Sequence, residues 1–414
     1  AATAAHHYLE AARRRRQANA LAAELEDCVR AFEADPTSED ATSALRAALV
    51  LRGKIAAAAE VTRAHTRALD PSKARSILMT VIDESGSDVL GALGAAFDAR
   101  LDVEFAGRGS TTFDELLLRA GILELLAARL ELRAERAQGT ERIAIYEQLA
   151  RLASGPLASP NRAALEHVRI LAEDPAKEQV IAALEAYAAS TRDQVPLVEG
   201  LVRGASASRG SLAGRALCAK ALASLAEDRL HHGKLARWAF EQWLGAEPGD
   251  AAAASAAQRL AGAEGTADYG AWLRTLEQQL GRDTRSFGLG RWLLGLELER
   301  PDELEARASV AAAARARGNA SARAISLAWV NAALAQDELG RARAIERLAA
   351  FSAPETQALL AAVAADAFAS AGDRASARQA ATAACRAEPN SVRGTGALAR
   401  ACLGALDRTA SSAR

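Results

Sequence analysis

Histidine and cysteine carry much of the chemistry available at neutral pH, and in this chain they are few and scattered. Two of the histidine positions are adjacent pairs, His6-His7 and His231-His232. Neighbours on a helix diverge by about 100°, so either pair alone is a poor chelator, because a metal needs ligands that converge. His231-His232 stands where a helix is expected to end, and a histidine there meets the negative end of the helix dipole favourably. His65 and His167 fall alone on polar helices. Cys28, Cys218, Cys385 and Cys402 are far apart with no CxxC spacing, which reads as reduced, mostly buried small residues and not as disulfides or metal ligands. Arg52-Gly53-Lys54 lacks the upstream glycine and the following hydroxyl of a phosphate loop. Phe287-Gly288-Leu289-Gly290 does not follow a strand, and no HExxH, GxSxG or kinase-type signature occurs. The expectation is a non-enzyme with no catalytic residues, no metal and no cofactor.

Two further groups of residues could contact a partner. Arg13 to Arg16 are consecutive, so on a helix they point around its whole circumference and form no single basic stripe. A solvated or partner-facing first helix is expected, not a specific nucleic-acid contact. The net charge of −1 gives no overall pull towards nucleic acid or an anionic membrane. All five tryptophans, Trp238, Trp243, Trp272, Trp292 and Trp329, lie in the second half. They either fill space between helices where alanine cannot, or form an aromatic anchor for a partner.

These residues must be held by helices. Half of the 414 residues are hydrophobic, but many are alanine and only 4% are aromatic. Alanine has the best helix propensity and buries little area, which favours many closely packed helices over one large core. No stretch alternates β-branched and polar residues, so the fold class is all-α. The longest apolar run, Ala358 to Ala365, stops at Asp366, far short of a membrane span. Lysine occurs only at 54, 73, 177, 220 and 234; the arginine-over-lysine, alanine-rich composition suggests a GC-rich bacterial genome. The chain opens at Ala1 without a methionine, which reads as a processed or excised segment. A cytoplasmic location is expected, or a periplasmic one if a signal peptide preceded Ala1.

Residues 352–390 are the most legible stretch. Leu359, Leu360, Val363, Ala367 and Phe368 fall on one face of a first helix. Ala371-Gly372-Asp373 breaks it, and Pro389 forbids the second helix from continuing. Pro36 and Pro71, and again Pro354 and Pro389, are spaced by about the 34 residues of a helix–turn–helix repeat. Along the chain, helices are expected over 1–34 with a break near Arg16 to Asn19, then over 38–51 and 55–69. An amphipathic helix carrying Ile77, Leu78, Val81 and Ile82 follows and stops at Ser85-Gly86-Ser87. Further helices are expected over 89–105, 111–137 and 143–154, then 161–173, 176–190 and 194–203, with a flexible connection at 203–210. Helices at 211–230 and 234–246 form a further hairpin. Glycines and aromatics make 262–300 irregular, and helices resume at 302–317, 320–338, 341–352 and 391–406.

Ala365, Phe368, Ala377, Ala384 and Pro389 stand where a tetratricopeptide (TPR) repeat places its small, aromatic, small, small and proline signature residues, so residues 352–390 resemble that family. Ala361 replaces the usual large residue and Ala381 the usual aromatic. Elsewhere Ala236, Phe240 and Pro248 match the second-helix spacing, with Trp243 in place of a small residue. Trp329 stands before Gly340 where the family has its first-helix large residue. In 37–71 Arg63 replaces the expected aromatic. The segments read as an N-terminal helical region (1–36), degenerate TPR-like repeats (37–261), an irregular connection (262–300), TPR-like repeats (301–390) and a capping helix with a frayed tail (391–414).

The resemblance implies an α-solenoid of antiparallel hairpins wound as a right-handed superhelix. It further implies a non-catalytic scaffold that holds a protein or peptide in its concave groove. By correspondence, the groove residues are Asn331, Asp337 and Glu338 on one first helix and Leu359, Ala362 and Asp366 on the next. Asn331 could hold a peptide backbone through both its donor and its acceptor. Trp272 and Trp292 are candidate aromatic anchors, and recognition is expected in the less regular region from Trp238 to Trp329. The alternative function is a sensor or regulatory segment of a larger protein. No specific nucleic acid and no membrane insertion are expected.

Overall fold

The computed structural model describes residues 1–260 and 321–411, with side chains as far as Cys402. Every regular element among the described residues is helical, as the alanine-rich composition requires. By packing, the chain divides into two compact units. One combines Ala1–Arg129 with Arg317–Arg414, and the other is Leu130–Ala316.

The N-terminal stretch of the first unit contains α1 (Ala2–Gln17), α2 (Leu21–Ala34), α3 (Glu39–Val50), α4 (Ile55–Ala68), α5 (Pro71–Glu84), α6 (Val89–Asp98) and α7 (Gly107–Arg119). The helix α8 (Leu123–Arg136) follows, and the boundary between the units falls inside it. The C-terminal stretch contributes α16 (Ala322–Leu334), α17 (Glu338–Ala349), α18 (Pro354–Ser370), α19 (Arg374–Ala387) and α20 (Val392–Ser411). Short polar side chains start many of these helices by accepting from an otherwise orphaned backbone N–H. Ser38 accepts from Ala41 at 3.3 Å, Asp88 from Gly91 at 2.8 Å, Asp337 from Gly340 at 2.9 Å and Asp373 from Ser376 at 3.1 Å. Pro71 and Pro354 sit in the first helical turns of α5 and α18, where a missing N–H costs nothing.

The hairpin α18–α19 is built as the family resemblance expects. Ala365, Phe368, Ala377 and Ala384 are all buried where the two helices cross, and Gly372 turns the chain at φ +83°. Ala361 and Ala381 are buried too, so the missing large residues are compensated by close approach of the helices.

Two expected helices are corrected. The helix expected over 89–105 ends at Asp98. Arg100 then adopts a left-handed conformation (φ 59°), and Leu101–Val103 form a short 3₁₀ turn. The single helix expected over 111–137 is a hairpin of α7 and α8 turned at Gly121 (φ +73°). Apolar residues flank that glycine on both sides and mask the break.

Within the first unit the two ends of the sequence meet. The helix α20 packs on α4, α18 packs on α6, and α16 lies beside the 3₁₀ turn.

The second unit contains, after the end of α8, α9 (Gly139–Ser154), α10 (Pro160–Glu173), α11 (Glu178–Thr191), α12 (Val195–Ala205), α13 (Leu212–Ser224), α14 (Gly233–Ala246) and α15 (Ala251–Leu260). Consecutive helices pack as antiparallel neighbours around a core that includes Leu171, Leu184, Val198, Leu222 and Leu235. Glycines permit the closest crossings. A Cβ on Gly214 would stand 2.7 Å from the Ala176 backbone nitrogen, and one on Gly204 would stand 2.5 Å from Cys218 Sγ. The connection expected at 203–210 is more ordered than its composition suggests, since α12 runs on to Ala205 and Ala207 is buried. The expected irregular connection at 262–300 and helix at 302–317 lie outside the described residues.

Candidate functional site: an arginine–carboxylate seam in the first unit

The two ends of the first unit meet through charged side chains. On α4, Arg63 pairs with Glu60 of its own helix and, at 3.0 Å, with Asp98 of α6. The other oxygen of Asp98 accepts from Arg393 of α20 at 3.0 Å. One turn further along α4, Arg67 donates to Asp366 of α18 at 2.8 Å, and Asp366 also accepts from Arg400 of α20 at 2.8 and 3.1 Å. Arg100, in its left-handed turn, pairs with Glu338 of α17. Glu338 also accepts from Arg341, whose other arm reaches the fully buried Asp102. Planar guanidinium groups suit this linking role because their donors diverge in a fixed fork.

Burial and like charges leave their mark on the titration of these groups. Burial, together with the nearby Arg393 cation, pushes the Arg63 guanidinium down to about 10 against the pull of Asp98 and Glu60. Burial pushes the Asp102 carboxyl up, with Arg341 and Arg129 opposing. For Glu338, burial works upwards but is outweighed by the hydrogen bond from Arg100 and the charge of Arg341, so its carboxyl sits below the ordinary value.

Arg129 anchors the turn that carries Arg100 and Asp102. It is fully buried and donates to Asp114 Oδ1 at 2.6 Å, to the Asp102 carbonyl at 2.6 Å and to the Glu104 carbonyl at 2.5 Å. Its guanidinium lies 4.8 Å from the Phe113 ring centroid, 4.9 Å from that of Phe105 and 6.0 Å from that of Trp329. One side chain thereby satisfies backbone carbonyls that the broken α6 leaves without helical partners.

Cavities open along this seam. One of about 300 Å³ lies between α4, α6, α18 and the start of α20, and includes Glu60, Arg63, Leu359 and Arg393. A second, of about 190 Å³, is lined by Arg67, Arg100, Arg341 and Arg393 together with Asp98 and Asp366. A third, of about 290 Å³, lies between the 3₁₀ turn and the α16–α17 corner.

The expected groove residues divide across this arrangement. Asp366 and Glu338 belong to the seam and are engaged by Arg67, Arg400, Arg100 and Arg341. Leu359 and Ala362 are buried. Asp337 caps α17, and Asn331 is exposed on α16. Trp272 and Trp292 lie outside the described residues. Of the other tryptophans, Trp329 and Trp238 are buried, while Trp243 is half-buried, stacked on Phe240 at 5.9 Å with Lys220 4.9 Å from its ring. Sequence reasoning missed Arg63, Asp98, Arg341 and Arg393. One signal was visible for the first, since Arg63 stands where the repeat pattern calls for an aromatic.

The remaining polar candidates have local partners. Arg15 reaches Asp27 at 2.6 Å and Arg16 reaches Glu24 at 3.7 Å, both carboxylates being buried on α2, so half of the Arg13–Arg16 run faces its own protein. His65, on the polar helix α4, is buried, and its Nδ1–H donates to the Pro36 carbonyl at 2.7 Å. The second half of the His231-His232 pair begins a helix instead of ending one, because His232 Nδ1 accepts from the Leu235 N–H at 3.1 Å. His231 does reach back, with Nδ1 3.2 Å from the Glu227 carbonyl of the preceding π turn. Cys28 and Cys218 are buried, but Cys385 is half-buried and Cys402 exposed, and none of them is paired. Among the described residues no group of histidine, cysteine or acidic side chains could hold a metal ion. Among the same residues no helix is long and apolar enough to cross a membrane.

An apolar patch lies at one end of the first unit. Leu21, Val50, Leu51 and Ile55 are 48%, 52%, 66% and 70% exposed. Arg52, in the α3–α4 turn that carries Val50, Leu51 and Ile55 at its two sides, donates both to the Ala48 carbonyl and to the Leu21 carbonyl at the start of α2.

No family model matches the chain, and no curated protein does. Among solved structures it is similar to the crystal structure of the P58(IPK) TPR domain, at 13% identity over 98% of this chain and 99% of that chain, with a TM-score of 0.18. A score that low leaves most of the two backbones unsuperposed, so the TPR-like character rests on the hairpin packing of Ala365, Phe368, Ala377 and Ala384 described above.

Proposed function

We propose that the chain is a non-catalytic scaffold that binds a protein partner, and that the first unit contacts this partner through the patch of Leu21, Val50, Leu51 and Ile55. The observation that carries this reading is the exposure of four large aliphatic side chains around the α3–α4 turn, to which Arg52 ties the start of α2. Single exposed apolar residues are ordinary on a protein surface, whereas a contiguous set marks an interaction site. Burying them on a partner would recover about 25 cal/mol for each Å² of apolar surface covered. The groove residues read from the sequence are less available, because Asp366 and Glu338 already have internal cations and Leu359 is buried.

Affinity capture from cell extract with three forms of the chain tests this. Partner recovery should fall for the double variant Leu51→Asp/Ile55→Asp and persist for Asn331→Ala/Asp366→Ala, with circular dichroism confirming that both remain helical. The opposite pattern would move recognition to the groove, and equal recovery from all three forms would remove the patch from the account.

A further inference from the structure

Around the 190 Å³ cavity the seam gathers six arginines, Arg63, Arg67, Arg100, Arg341, Arg393 and Arg400, against five carboxylates, Glu60, Asp98, Asp102, Glu338 and Asp366. Four arginines line it, Arg67, Arg100, Arg341 and Arg393, against two carboxylates, Asp98 and Asp366. Those carboxylates are shared with arginines outside the lining, Asp98 with Arg63 and Asp366 with Arg400. Two of the lining cations are nine-tenths buried, Arg341 at 8% exposure and Arg393 at 7%. Both carry buried donors without an acceptor: Nε of Arg341, and Nε and Nη1 of Arg393. A buried donor left unpaired costs about 1–3 kcal/mol, and more when the group is charged. Arg63 and Arg393 also crowd together, since a Cβ on Gly94 would lie 2.4 Å from Arg393 Nη1 and 3.2 Å from Arg63 Nη2. Helices from both ends of the sequence bring these cations together, and no acceptor among the described side chains completes them.

We propose that this cavity is a binding site for a small free oxyanion of the phosphate or sulfate class, held by Arg67, Arg100, Arg341 and Arg393. Several tetrahedrally arranged oxygens can accept from several guanidinium forks at once, whereas a single carboxylate satisfies one fork. A bound oxyanion would offset the one excess positive charge, accept from the unpaired donors and join the N-terminal helices to the C-terminal ones, so its occupancy should stabilise the first unit. The assignment is independent of the scaffold reading and of the apolar patch.

The test uses the full chain and inorganic phosphate or sulfate, titrated against chloride at constant ionic strength. Isothermal titration calorimetry and the thermal unfolding midpoint are the readouts. The expected result is saturable binding at one site per chain, with a matching rise in midpoint. Arg341→Gln and Arg393→Gln risk unfolding the seam, so the deciding variants are Arg67→Gln and Arg100→Gln, at the more exposed edge of the cavity. Each leaves its acidic partner with a second arginine, Arg400 for Asp366 and Arg341 for Glu338. Each should weaken phosphate binding about tenfold or more, as loss of one charge-assisted hydrogen bond implies. Absence of any effect of phosphate or sulfate beyond chloride would overturn the proposal. So would saturable binding that both variants leave unchanged.

Discussion

The four thiols differ chiefly in burial, and that difference is chemically readable. Burial pushes the Cys218 thiol up to about 12, and its Sγ donates to the Pro175 carbonyl at 3.4 Å. Burial raises Cys28 as well, with Glu24 and Asp27 adding to the effect. Thiolate is the reactive form, so at pH 8 a thiol reagent should label exposed Cys402 rapidly and leave Cys28 and Cys218 protected until denaturant is added. Mass spectrometry of the labelled peptides checks this order. A second residue prediction concerns Glu338. Its folded value lies below the ordinary one, so its contribution to stability is present above the unfolded value of about 4.3 and is lost as pH falls through the folded value. Unfolding midpoints of the wild type and Glu338→Gln should therefore differ at pH 6 to 8 and converge only as pH falls through the lowered folded value. At this scale the sequence was legible where a residue acts locally, as with Gly372 and Asp373. It was opaque for the pair of Asp98 and Arg393, which lie 295 positions apart and follow no spacing rule.

At the scale of elements, glycine decides how closely helices cross. An added methyl at Gly214 would meet the backbone at Ala176, which has no side chain to swing aside. Gly214→Ala should cost about 1–3 kcal/mol, the usual price of overpacking. Gly249 has open space around it and no left-handed backbone, so Gly249→Ala should be neutral or stabilising by up to about 1 kcal/mol. Urea unfolding of the two variants separates a packing glycine from a merely flexible one. The turn after α6 makes a parallel case. Arg129→Met would take the guanidinium away from buried Asp114 and from two carbonyls, and loss of one partner of a buried pair costs about 3–5 kcal/mol. Helices were most legible where a polar cap or a proline punctuated them. The break at Gly121 was hidden by flanking leucines and isoleucine, and the one at Arg100 by the absence of any glycine or proline.

At the scale of the molecule, the family resemblance implied an α-solenoid of antiparallel hairpins, and the all-helical fold agrees with it. Within the first unit α18 and α20 also pack on α6 and α4, joining stretches far apart in the sequence. No local pattern encodes such closure. It arises from arginines and carboxylates that look like ordinary solvated charges until the helices meet. In this arrangement Asp366 and Glu338 are engaged by arginines of other helices, which is why the proposed partner surface is placed on the α2–α4 patch. The most direct measurement is a double-mutant cycle across the seam, with Asp98→Asn, Arg393→Gln and the combination compared by urea unfolding. Packing of the two ends predicts a coupling energy of about 1 kcal/mol or more, within the range of 0.5–3 kcal/mol found for contacting residues. Additivity within about 0.3 kcal/mol, as for distant sites, would contradict it.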